Sequence, residues 1–149
     1  MAGRHITLDG SVRDARVFSH DHLASFFVGL CKRLEMDIIF GPIFKDVDLD
    51  PAKLDAVQAG GEFTDEGGTT GIVVISTSHI SIHTWELRRF FQLDVFSCKD
   101  FDSEAALAYI YETLDVERAS VCEIVRHDEY HRPDVVSAYT SHIPLAPGA

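Results

Sequence analysis

The sequence has 149 residues and a formal net charge of −11 at pH 7. This length predicts a single domain, residues 1–149, that folds without a disulfide or a metal ion. The acidic charge argues against nucleic acid as a partner, because phosphate binding requires a basic surface, and it is compatible with a small cationic substrate. No apolar run approaches the roughly 20 residues that cross a membrane, and the first residues lack the layout of a secretory signal. We therefore expect a cytoplasmic location and no membrane partner.

The first half of the chain predicts a strand, a helix and a second strand. The first strand lies around His5–Leu8, and the Asp9-Gly10 pair after it is a turn signal. Apolar residues then recur at helical spacing over residues 23–34. Ile38–Phe40 predicts the second strand. Residues 45–70 are rich in Asp, Glu and Gly, which predicts a long acidic loop.

The second half predicts three strands, a helix and a last strand. Ile72–Ile75 is continuously apolar, which is typical of a strand that is covered on both faces. His79–His83 alternates polar and apolar residues, and Phe91–Phe96 gives a third strand. A helix over residues 106–114 precedes a strand at Ala119–Val125. This order predicts an α+β fold, a two-layer sandwich in which a mostly antiparallel sheet carries both helices on one face.

Four polar features are candidates for chemistry. They are the Ser76-Thr77-Ser78 trio between two apolar strands, the histidines His79 and His83 on one strand face, Cys98 just past a strand, and Thr70. Each feature has an ordinary structural explanation, such as a turn with local hydrogen bonds or a cysteine that fills the core. Two histidines lack a further ligand for zinc, so no metal site is predicted.

Considered together, these features carry a resemblance to a known family. Residues 71–85 read GIVVISTSHISIHTW and residues 94–98 read DVFSC. These segments resemble the small prokaryotic, pyruvoyl-dependent S-adenosylmethionine decarboxylase proenzymes. The Gly3-Arg4-His5 opening and the closing helix–strand unit fall in the same order. The resemblance therefore covers most of the chain.

The resemblance implies a self-cleaving precursor. In this family the hydroxyl group at the position of Ser78 attacks the preceding carbonyl, here that of Thr77. The chain would then be cut into residues 1–77 and 78–149. Ser78 would become a pyruvoyl group, the cofactor, which binds the substrate amine as a Schiff base. Such a group supplies the electron sink that ordinary side chains lack.

The resemblance also implies roles for three other residues. The histidine matching His83 assists the cleavage, together with a hydroxyl residue at the position of Thr70, where the family usually has serine. The cysteine matching Cys98 donates a proton to the substrate carbon after carbon dioxide leaves. Family members of this size are homodimers with the site between subunits, so we expect a homodimer of cleaved protomers.

Departures from the family pattern lie where the substrate is recognised. Thr77 replaces the usual Glu, and Trp85 is followed by Glu86 rather than by Pro-Glu. The acidic loop replaces the aromatic segment that stacks on adenine, and only Phe63 lies nearby. Phe63 and Glu86 are therefore the candidates for binding the substrate.

These observations predict decarboxylation of S-adenosylmethionine, which supplies aminopropyl groups for polyamine (spermidine) synthesis. One alternative keeps the chemistry and changes the substrate to arginine or ornithine, because carboxylates in the acidic loop would pair with a cationic tail. The other alternative is a relative that does not cleave and serves as a regulatory or binding subunit.

Overall fold

Within residues 2–48, 67–127 and 134–141, the part of the chain that the structure describes, the computed structural model contains seven strands and two α-helices. In chain order these are β1 (Ala2–Val12), α1 (His20–Arg33), β2 (Ile38–Val47), β3 (Gly68–Ile75), β4 (Ser78–Trp85), β5 (Phe90–Ser97), α2 (Ser103–Leu114), β6 (Val116–His127) and β7 (Asp134–Ser141). Short 3-10 turns cover Ala15–Phe18 and Glu86–Arg88.

The strands form one antiparallel sheet in the order β2-β3-β4-β5-β1-β6-β7. The predicted two-layer α+β sandwich is therefore confirmed. The turn predicted at Asp9-Gly10 is wrong, because β1 continues to Val12 and pairs with β5 and β6 along its length. A Cβ atom at Gly10 would lie 2.9 Å from the ring of Phe91, so glycine is needed there for close packing between strands.

Both helices cover the same face of the sheet, and we call this the inner face. The Ser19 side chain caps α1 by accepting a hydrogen bond from the His22 amide, and Asp102 caps α2 in the same way. The fully buried residues of the core include Phe26 and Phe27 of α1, Ile110 of α2, and alternate residues of the central strands. Each large apolar side chain buried in this way contributes about 1.5–3 kcal/mol.

Two of the cysteines differ in their burial. Cys31 lies in the core, and burial raises the pKa of its thiol to about 11. Cys122, the cross-strand partner of Thr7, is only half-buried, because it lies on the face opposite the helices.

We call the face opposite the helices the outer face. On β4 it carries His79, His83 and Trp85, which are half-buried and alternate with the buried Ile80 and Ile82. The edge strand β2 adds apolar side chains, since Phe40 is 58% exposed and Ile43 is 47% exposed. The register pairs these two residues with Val74 and Ile72, which are half-buried and alternate with the buried Val73 and Ile75. An apolar patch of this kind on a sheet marks a surface suited to contact with another protein.

Across the described residues, neither helix is both long and apolar enough to span a bilayer.

Candidate functional site

The predicted cleavage junction lies at the turn between β3 and β4. Ser76 and Thr77 form the turn, and the Ser76 amide donates a hydrogen bond to the Asp37 carbonyl oxygen at 2.9 Å. Ser78 begins β4 with a φ of 153°, a backbone conformation that residues other than glycine rarely adopt. Such a conformation costs about 1–3 kcal/mol and is typical of functional sites. The strain is therefore located at the residue predicted to react.

The residue before the strained serine is held from two directions. The Cys98 amide donates a hydrogen bond to the carbonyl oxygen of Thr77 at 2.8 Å. The Ser97 hydroxyl, which is buried, donates to Thr77 Oγ1 at 2.8 Å and accepts from the Lys99 amide at 3.0 Å. An amide that points at a carbonyl oxygen polarises the carbonyl and can stabilise negative charge that develops on that oxygen.

The Ser78 hydroxyl has a partner that the sequence did not indicate. Ser78 Oγ lies 3.0 Å from Nδ1 of His79, the next residue. Adjacent side chains on a regular strand point to opposite faces, so this contact depends on the unusual backbone at Ser78. The His79 ring also contacts Phe96 edge-on, with ring centroids 5.9 Å apart.

The segment after Cys98 is fixed by an ion pair. Arg4 Nε donates to Asp100 Oδ1 at 2.7 Å, and this bond holds the pKa of the Asp100 carboxyl group below its usual value. A small cavity of about 70 Å³ lies beside this segment and is lined in part by Thr77, Ser97 and Lys99. The side chain of Cys98 is exposed, so its thiol is open to a bound molecule.

Thr70 and His83 form a second polar cluster. They are direct cross-strand partners on β3 and β4, and Thr70 Oγ1 lies 2.6 Å from His83 Nδ1. The Trp85 ring packs edge-on against the imidazole ring, with centroids 4.2 Å apart. Burial lowers the pKa of His83 below the usual value of 6.5, which favours the neutral imidazole that can act as a base.

The two clusters lie at opposite ends of β4. Ser78 and His83 are five residues apart on this strand, which corresponds to roughly 16 Å at the usual rise of a β-strand. Glu86 is exposed at the start of the 3-10 turn that follows Trp85, so it also lies at the His83 end. Phe63 lies outside the described residues. One protomer therefore brings Thr77, Ser78 and Cys98 together and keeps Thr70 and His83 apart from them.

A second cavity contains none of the predicted residues. It has a volume of about 390 Å³ and is lined by residues of β1, β5 and β6, including Asp9, Phe90 and Arg118. Among the described residues, no group of three or more His, Cys, Asp or Glu side chains is arranged to hold a metal ion.

Comparisons with known proteins identify relatives along most of the chain. The sequence model for S-adenosylmethionine decarboxylase matches residues 4–127. An S-adenosylmethionine decarboxylase proenzyme from Clostridium botulinum is 43% identical over 60 residues, which are 40% of this chain and 52% of that protein. The match therefore spans about half the length of that relative.

Two further relatives match over longer stretches. An S-adenosylmethionine decarboxylase proenzyme from Pyrococcus abyssi is 29% identical over 126 residues, 83% of this chain and 78% of that protein. A crystal structure of the adenosylmethionine decarboxylase from Aquifex aeolicus matches with a TM-score of 0.60 and 26% identity. The structural match covers 87% of this chain and 97% of the Aquifex aeolicus chain.

The lowered pKa of His83 predicts a measurable titration. In the Ser78→Ala chain, the His83 ring should titrate below pH 6.5 when it is followed by NMR. Between the folded and unfolded pKa values the unfolded chain binds more protons than the folded chain, so stability rises with pH in that window. The contribution of His83 is therefore complete above pH 6.5 and is lost as pH falls through the lower folded pKa.

Thr70→Val is the matched control for this titration. It removes the hydrogen bond to His83 and keeps the bulk that shields the ring, so the midpoint should stay below 6.5, because burial is the cause of the shift. A folded-state midpoint at or above 6.5 in the Ser78→Ala chain would contradict this account of the site.

Proposed function

Because this chain belongs to the S-adenosylmethionine decarboxylase family, we propose that it is a pyruvoyl-dependent decarboxylase whose precursor cuts itself between Thr77 and Ser78. The observation that carries the proposal is the junction itself. Ser78 has a strained backbone, and the carbonyl group that its hydroxyl would attack accepts a hydrogen bond from the Cys98 amide at 2.8 Å. The strained backbone and the polarised carbonyl group therefore flank the same peptide bond, between Thr77 and Ser78.

The cleavage proceeds in two stages. In the first, Ser78 Oγ bonds to the carbonyl carbon of Thr77, the C–N bond breaks, and the hydroxyl proton ends on the Ser78 nitrogen, which gives an ester and a free amine. In the second, a base removes the α-proton of Ser78 and the Cβ–Oγ bond breaks. Residues 1–77 then end in a carboxylate. Water converts the unsaturated residue that begins 78–149 to the pyruvoyl group with release of ammonia.

The Cys98 amide acts on the first stage. Its distance from the Thr77 oxygen falls in the range of 2.7–3.1 Å in which a donor stabilises an oxyanion. Loss of one such donor in other enzymes costs about 10²–10³ in rate. The Ser97 hydroxyl supports this geometry by holding the side chain of Thr77 in place.

The mature enzyme would use the same end of β4. The pyruvoyl group at residue 78 supplies the electron sink for decarboxylation. Cys98 follows Ser97, the cross-strand partner of Ser78, and its side chain is exposed, so its thiol is suited to deliver a proton to the substrate carbon.

We infer that S-adenosylmethionine is the substrate, which would place the enzyme in polyamine (spermidine) synthesis. Its relatives from Clostridium botulinum and Pyrococcus abyssi carry the name of that activity. Arginine or ornithine is the second candidate. The acidic composition of residues 45–70, which replace the expected nucleoside contacts, favours it, because carboxylates pair with a guanidinium or ammonium tail.

The separation of the two clusters supports a homodimer. At roughly 16 Å from Ser78 along the strand, the Thr70–His83 pair cannot reach the junction of its own protomer. If two outer faces pack together with β4 strands running in opposite directions, His83 of one protomer approaches Ser78 of the other. The exposed Phe40 and Ile43 provide apolar area on that face.

Self-cleavage is tested by the size of the purified protein. On denaturing electrophoresis and by mass spectrometry, the wild-type chain should yield residues 1–77 and 78–149, with a ketone in place of the second fragment's amino group. Ser78→Ala should remain intact, because it lacks the nucleophile. Ser103→Ala, which removes a hydroxyl at the start of α2, should cleave like the wild type. A wild-type chain that keeps its full mass would indicate the non-cleaving alternative.

Substrate choice is tested by release of labelled carbon dioxide. The cleaved enzyme should release it from carboxyl-labelled S-adenosylmethionine at a rate at least tenfold above that from arginine or ornithine, and Ser78→Ala should release none. A preference for either basic amino acid would overturn the assigned substrate and leave the pyruvoyl chemistry in place.

The contribution of His83 across the dimer is tested by complementation. Ser78→Ala and His83→Ala chains, each uncleaved or slowly cleaved alone, are co-expressed with different tags. In mixed dimers the intact His83 of the first chain faces the intact Ser78 of the second, so the His83→Ala chain should be cleaved. As control, a Ser78→Ala/His83→Ala partner should give no such rescue. If the His83→Ala chain is cleaved equally with the Ser78→Ala partner and with the doubly substituted partner, His83 does not act on the other protomer.

A further inference from the structure

The geometry points to His79 as the base that removes the proton from the Ser78 hydroxyl in the first stage of self-cleavage. This inference rests on the proposed function and adds a catalytic residue to it. The residues that the family resemblance implies as assistants of the cleavage are Thr70 and His83, and neither lies at the Ser78 end of β4 in the same protomer.

The contact between the two groups suits proton transfer. Nδ1 of His79 lies 3.0 Å from Ser78 Oγ, within the distance of about 2.6–3.2 Å that general base catalysis requires. A nucleophilic hydroxyl is weak until an adjacent base accepts its proton. The positive φ of Ser78 is what turns its hydroxyl toward the next side chain, so the strain also builds the contact.

A third group orients the imidazole ring. The edge-to-face contact with Phe96 restricts the ring, and the Arg126 guanidinium lies over Phe96 at 4.2 Å from the ring centroid. A nucleophile, a base and a group that orients the base form the arrangement common to enzymes with activated hydroxyl groups. Here the orienting group is an aromatic ring instead of a carboxylate.

The proton balance of the acyl shift follows from this arrangement. In the neutral tautomer with an unprotonated Nδ1, His79 accepts the proton of Ser78 Oγ as the oxygen bonds to the Thr77 carbonyl carbon. The Cys98 amide stabilises the negative charge on the Thr77 oxygen. His79 then returns the proton to the Ser78 nitrogen as the C–N bond breaks. No other reactant is consumed, and the histidine ends in its starting form.

The test measures how fast the ester forms in freshly synthesised precursor. Hydroxylamine cleaves an ester and spares a peptide bond. The amount of fragment that appears in its presence therefore measures how much ester the acyl shift has formed, independently of the later elimination. His79→Ala should slow this step about a hundredfold, within the range typical of a lost general base. His79→Asn places a polar group near the position of Nδ1 but cannot accept a proton there, so it should be equally slow. Added imidazole should restore part of the rate to His79→Ala.

His5→Ala is the matched control. His5 is a second half-buried histidine on the outer face, and its ring also contacts Phe96, with centroids 5.4 Å apart, but it lies on β1 and bonds to Asp94. The His5→Ala substitution removes the same kind of side chain without altering a contact of Ser78. This variant should therefore form the ester at the wild-type rate.

The outcomes separate the inference from the proposal on which it rests. If the wild type forms no ester, self-cleavage and the role of His79 fall together. If the wild type forms the ester and His79→Asn matches its rate, only the role of His79 is overturned. Thermal melting in the Ser78→Ala background identifies a variant that fails to fold. In that case the test relies on whichever of His79→Ala and His79→Asn folds better. Slow ester formation in that folded variant supports the role of His79, and ester formation at the wild-type rate overturns it.

Discussion

The hydrogen bond from the Cys98 amide to the Thr77 carbonyl oxygen is the interaction on which the rest of the site depends. It closes the end of the β4–β5 pair onto the turn that precedes β4. With the carbonyl fixed, the backbone at Ser78 is held in a conformation that a free chain would leave. The sheet and the buried Ser97 hydroxyl offset the cost of that strain.

The sheet explains why the site has two separate parts. β3 and β4 form a hairpin, and its turn carries the junction while its open end carries the Thr70–His83 pair. A single antiparallel sheet with helices on one face leaves the outer face available to a second copy. Antiparallel contact between two such faces would bring unlike ends of β4 together. The same fold thereby separates the junction from the Thr70–His83 pair within one protomer and allows them to approach each other across a dimer.

Much of the fold could be predicted from local patterns, because the apolar spacing of α1 and the alternation in β4 depend only on the faces that they bury. The true length of β1 could not be predicted, since the Asp9-Gly10 pair acts as a turn signal unless the packing of Phe91 against Gly10 is known. The residues of the junction were indicated by resemblance. Their mutual contacts were not, because they depend on a positive φ that no propensity encodes.

Two site residues illustrate the limit more sharply. His79 was a candidate, but its contact with Ser78 could not be predicted, because neighbours on a regular strand face opposite ways. Ser97 was noticed only as part of the DVFSC segment. The five-residue spacing between Ser78 and His83, in contrast, was visible in the sequence and already implied that one strand could not bring them together.

The most direct test of the central claim is a crystal structure of the uncleaved Ser78→Ala chain. The account predicts a positive φ at residue 78 and a distance of about 3 Å between the Cys98 nitrogen and the Thr77 oxygen. A relaxed, extended backbone at residue 78, with the Thr77 carbonyl turned away from Cys98, would contradict it.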